Sequence, residues 1–82
     1  MHVYIVVPRY EHTWDEVNVY SSFSAVEQFV LQVASLLARD GRDPNWCKIL
    51  AYEGQDDLHP MFVYTIVASD RLHREPWINP SS

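Results

Sequence analysis

The sequence predicts an α+β fold: a four-stranded antiparallel or mixed sheet in ββαββ order, one helix on one face, and an extended C-terminal tail. Three observations carry this. Residues 2–7 and 61–67 are β-branched or aromatic and apolar on both faces, as interior strands are. A segment between them repeats its apolar residues at helical spacing. Two further segments fit half-exposed strands. At 82 residues and 48% apolar content, the chain can build one core. A domain of this size hides about 60% of its extended surface, so that core is thin.

Strand one, residues 2–7 (His-Val-Tyr-Ile-Val-Val), stops at Pro8. Residues 9–15 are polar with Tyr10 and Trp14 embedded, which suits a hairpin loop. Residues 16–21 alternate and put Val17 and Val19 inward. The helix starts at a capping box formed by Ser24 and Glu27. Val26, Phe29, Val30, Val33, Leu36 and Leu37 then fall within an arc of about 120°. Leu31, Ala34 and Ala38 flank this stripe, and Gly41 supplies a left-handed stop. Residues 46–53 form strand three, and residues 54–57 (Gly-Gln-Asp-Asp) carry turn chemistry. Residues 61–67 form strand four. Because strands one and four are the least polar, the expected order is 2-1-4-3, with 2-1-3-4 as the open alternative. The domain boundary falls after Ala68, and residues 69–82 form an arm.

One helix cannot cover both faces of such a sheet. Either His2, Tyr4 and Val6 or Val3, Ile5 and Val7 must face outward, together with half of strand four. An apolar face of that extent calls for a cover. The tail, a second copy or another protein can supply it. The tail contains two prolines, Pro76 and Pro80, so it reads as extended or irregular. It also contains Leu72, Trp77 and Ile78, which either fold back over the sheet or anchor in a partner's groove. Tyr4, Tyr64, Trp77 and Ile78 are the expected partner-binding residues, followed by Trp14.

Charge and composition exclude several classes. The net charge is −5, and all of it lies within residues 1–68, where four basic residues meet nine acids. No basic stripe is left for nucleic acid. Residues 1–7 are apolar but lack a basic n-region, and no segment is apolar enough to span a bilayer, so a cytoplasmic protein without membrane contact is expected. With only Gly41 and Gly54, no glycine-rich phosphate loop exists. Cys47 is the single cysteine and has no histidine signalled beside it. Tyr10, Glu11, His12 and Asp15 bring an acid, an imidazole and a phenol together without a nucleophile. No catalytic residue and no cofactor are assigned.

Two competing readings remain. His2 and His59 would meet at one end if strands one and four were neighbours, and Asp56 and Asp57 would complete a divalent-metal ligand set. The acidic loops also allow an inhibitor that imitates nucleic acid. The residues Val3-Tyr4-Ile5-Val6, Tyr10-Glu11-His12 and Val17-Asn18-Val19-Tyr20-Ser21-Ser22, ahead of a helix with Ala25 and Glu27, cover the first third of the chain. They resemble small uncharacterised β-β-α-β-β proteins of phages, large DNA viruses and bacteria. The resemblance implies a viral or phage accessory protein, or a minor structural one, and assigns no functional residue. The sequence as a whole reads as a non-enzymatic interaction domain whose partner is itself, as a homodimer, or a larger assembly.

Overall fold

The computed structural model describes residues 2–9, 18–53 and 58–78. The elements run β1 (Val3–Pro8), β2 (Asn18–Tyr20), α1 (Phe23–Arg39), β3 (Cys47–Tyr52), β4 (Phe62–Ala68) and β5 (Arg71–Pro76). They build one five-stranded sheet in the order β2-β1-β3-β4-β5, with every neighbouring pair antiparallel. The α+β class and the single helix match expectation.

Two features of the expected sheet are corrected. Among the described residues there are five strands, because Arg71–Pro76 pairs with β4 through Phe62↔Pro76 to Ile66↔Leu72. The tail is therefore not simply an arm after Ala68. The preferred order 2-1-4-3 also fails and the open alternative 2-1-3-4 holds, extended by β5: β3 separates β1 from β4 and pairs along its whole length with β1. Strands one and four are interior as their apolarity required, but as the inner neighbours of a central β3 rather than of each other.

The helix cap is Ser22, not Ser24. Ser22 keeps an extended backbone (φ −123°, ψ 126°), and its hydroxyl accepts from the Ala25 amide at 3.4 Å. Starting the helix there makes Phe23 helical and brings its ring to 5.6 Å from Tyr4 and 4.7 Å from Tyr64. Such ring pairs stabilise by about 0.5–1.5 kcal/mol beyond their burial. At the other end Gly41 takes φ +72°. The Gly41 amide donates to Ala38 (3.1 Å) and the Arg42 amide to Leu37 (2.8 Å), the two bonds of a Schellman stop.

The buried line of α1 is Val26, Val30 and Ala34. This shifts the expected stripe toward the alanine side and leaves Leu36 52% exposed. Beneath that line lie Tyr4 and Val6 of β1, Cys47, Ile49 and Ala51 of β3, and Ile66 of β4. Fully burying an aliphatic side chain of this kind contributes about 1.5–3 kcal/mol. Two polar ties fix the helix over the sheet. The Trp46 indole N–H donates to the Val30 carbonyl (3.1 Å), and the Ser35 hydroxyl donates to the Ser69 carbonyl (3.1 Å).

In β2 the expected inward side is reversed. Tyr20 points to the helix and stacks on Phe29 at 5.9 Å, whereas Val19 is 65% exposed on the opposite face. The ring finds an aromatic partner, and period-two alternation then sends Val19 outward. Residues 16 and 17 lie outside the described residues.

Candidate interaction face

Strand alternation and register decide which side chains the helix leaves free. Tyr4 and Val6 are buried under α1, so Val3, Ile5 and Val7 face away from it. Residues opposite one another in a ladder share a face. A row therefore crosses the whole sheet: Val19, Ile5, Leu50, Val63 and Glu75. A second row, nearer the end where β1 stops, is Val7, Lys48, Thr65 and His73. Val3 and Tyr52 begin a third. Among the described residues no element packs across these rows.

The face is not uniform. Its centre, Ile5, Leu50 and Val63, is aliphatic and half-buried by its own neighbours. Its β5 edge is polar: His73 and Glu75 face each other at 3.3 Å (Nε2 to Oε1), both exposed. Charged side chains and a terminal proline on an outer strand discourage strand addition. β5 therefore discourages pairing by its own edge.

At the end where β1 stops, the face dips into a shallow cavity of about 410 Å³ lined by Val7, Pro8, Arg9, Asn45, Cys47, Lys48 and Thr65. The Arg9 Nη1 donates to the Asn45 carbonyl at 3.1 Å, which orients the guanidinium. Sequence reasoning passed over this cluster. The available signal was Lys48, the only lysine in the chain, set inside an otherwise apolar strand.

The expected partner-binding residues scatter. Tyr4 is 5% exposed and belongs to the core, so it is withdrawn as an anchor. Its phenol donates to Glu53 Oε1 at 2.7 Å. Burial first, and then the neighbouring Glu53 carboxylate, push its pKa up from 10.0 to about 12. Tyr64 also lies on the helix side, against Phe23, and is likewise removed from the free face. Trp77 is folded back: its amide donates to Met61 (3.1 Å) and its ring stacks on His59 at 5.0 Å. Ile78 is 78% exposed. Trp14 lies outside the described residues, as does the whole loop of residues 10–17.

The metal constellation is not assembled as expected. With β3 between β1 and β4, His2 and His59 are not on neighbouring strands. His59 instead stacks on Trp77, and Asp56 and Asp57 lie outside the described residues. Among the described residues no cluster of three or more His, Cys, Asp or Glu side chains could hold a metal ion. Cys47 is fully buried, and burial pushes its thiol from 9.0 up to about 12, so little reactive thiolate exists at neutral pH. No described helix is long and apolar enough to cross a membrane. No protein-family model, curated protein or solved structure matches the chain.

Proposed function

We propose that the chain is a non-enzymatic interaction domain that docks a partner protein on the sheet face opposite α1. The observation that carries this reading is the row Val19, Ile5, Leu50 and Val63, aliphatic across four strands. Burying apolar area of this kind is the usual driving force of association, at about 25 cal/mol per Å². Polar groups at the rim, Lys48, His73 and Glu75, supply register and specificity. Trp77 is engaged within the same chain, by His59 and Met61, and Ile78 is the tail's exposed apolar side chain. The resemblance over the first third of the chain adds the setting, an accessory or minor structural role in a viral or phage assembly. The acidic-inhibitor reading has less support, because the rows just described contain a single carboxylate, Glu75.

Photo-crosslinking tests the proposal. A photoreactive amino acid is placed at Val63 on the free face or at Gln32 on the exposed side of α1, in the cells that produce the protein. A discrete protein adduct from position 63, absent from position 32 and abolished by Ile5→Lys, supports the face. Equal adducts from both positions, or none from position 63, contradict it.

A further inference from the structure

We propose that the cavity at the end of the free face is a carboxylate-binding site, which takes the acidic side chain of a partner segment laid across the sheet. This rests on the interaction-face reading and names the chemistry of the partner.

Among the described residues, the cavity gathers donors and no acceptor of opposite charge. Arg9 and Lys48 are its two cations, and no carboxylate is among the described residues that line it. Lys48 sits directly opposite Thr65 on β4 and opposite Val7 on β1. Opposed side chains in a ladder start only about 5 Å apart, so the ammonium and the Thr65 hydroxyl can converge on one anion. One guanidinium nitrogen of Arg9 is engaged with the Asn45 carbonyl, which holds the planar group in place; among the described residues its other N–H groups have no hydrogen-bond acceptor. Val7 and Pro8 provide an apolar wall for a methylene stem.

The donors that are already engaged narrow the class of the ligand. The Arg9 amide donates to Trp46 (2.9 Å), and the Asn45 amide donates to Asp43 Oδ1 (2.9 Å). These amides cannot form the cradle of backbone N–H groups that phosphates commonly use. Two cations and one hydroxyl on side chains suit an anion held by side-chain donors alone, which a carboxylate can be. Position decides the source. The cavity opens on the row next to Ile5, Leu50 and Val63, so an anion seated there arrives beside aliphatic contacts. A Glu or Asp flanked by aliphatic residues satisfies both at once.

The test is an amide-resolved NMR titration of the full chain with three probes: acetyl-Val-Glu-Val-amide, its Gln counterpart, and inorganic phosphate, each to roughly 10 mM. The Glu peptide should give saturable shifts at Val7, Arg9, Lys48 and Thr65. The Gln peptide should bind about five-fold more weakly or not at all. Arg9→Gln and Lys48→Gln should each weaken the Glu peptide by a similar factor while the rest of the spectrum, and so the fold, is unchanged. Equal binding of the Gln peptide, shifts confined to another surface, or no saturable shift overturns the proposal. So does phosphate acting on the same amides at lower concentration than the peptide. If the Arg9→Gln/Lys48→Gln chain still crosslinks from position 63 as wild type does, the face stands and the carboxylate site is overturned. If wild type gives no adduct, the face reading itself fails.

Discussion

The phenol of Tyr4 donates to the carboxylate of Glu53 at 2.7 Å, joining the beginning of β1 to the residue that follows β3. Tyr4 lies beneath Phe23, so this bond gives a buried hydroxyl its partner at the boundary of the core. Tyr4→Phe keeps the ring contacts and loses only the bond. It should destabilise the fold by about 1.5–3 kcal/mol, as loss of a bond to a charged group does. Glu53→Gln should cost less, because an amide oxygen can still accept. Urea unfolding of the two variants checks the ranking; Glu53→Gln costing more than Tyr4→Phe contradicts it.

Alkaline pH should weaken the fold through two groups with the same sign. Tyr4 and Cys47 both have folded-state pKa values raised to about 12, from 10.0 and 9.0. Each therefore keeps its proton when folded and loses it when unfolded at a lower pH. Their contribution is intact below pH 9 and is lost between pH 9 and 12 for Cys47 and between pH 10 and 12 for Tyr4. The slope approaches about 1.4 kcal/mol per pH unit for each group. Unfolding midpoints measured from about pH 7 to about pH 11 should be level and then fall, and Cys47→Ala should remove the earlier part of the fall. A wild-type midpoint that rises once the unfolded thiol begins to ionise would refute this.

Ile49 and Leu50 are neighbours in sequence that face opposite sides of the sheet. Ile49 is fully buried under α1, whereas Leu50 belongs to the free row. Ile49→Ala should cost about 2–5 kcal/mol, a large share of the stability of so small a domain. Leu50→Lys should cost under about 1 kcal/mol, because the lysine stem can lie on the face with its charge in water. Thermal unfolding compares them directly; similar losses would mean that both faces of β3 are core.

Much of the fold is legible in the sequence because local rules and tertiary packing agree. The apolar strands at residues 2–7 and 61–67, the helix and its stop at Gly41 all follow from period and cap chemistry. β5 is missed because Arg71–Pro76 contains one aliphatic residue, Leu72, among charged ones. An edge strand that avoids unwanted pairing looks like a loop in sequence. The preference for 2-1-4-3 over the observed 2-1-3-4 has a related cause. Lys48 makes β3 look peripheral, yet its side chain points to the free face of a central strand. Ser24 heads the capping pattern in the sequence, but the Ser22 hydroxyl holds the Ala25 amide and the contacts of Phe23 with Tyr4 and Tyr64 go with that earlier start. The free face could be expected from counting one helix against a sheet, but which of Tyr4 or Ile5 occupies it depends on packing.

Removing β5 should be felt across the sheet. A chain ending at Ala68 loses Leu72 from the edge of the core and turns β4 into an exposed edge. It should lose at least about 2 kcal/mol, or roughly 10 °C in Tm, whereas a chain ending at Ile78 should match wild type. Equal Tm values for all three chains would show that β5 adds nothing to the sheet.

The central claim is that the face of Ile5, Leu50 and Val63 is open in the isolated chain and available to a partner. Methyl NMR of the dilute full chain with a soluble paramagnetic agent measures this directly. The methyl signals of Ile5, Leu50 and Val63 should be attenuated strongly, alongside those of the exposed Val19 and Val67, while those of Val6 and Ile49 stay protected. If Ile5, Leu50 and Val63 are as protected as Ile49, the chain covers this face itself and the account is wrong.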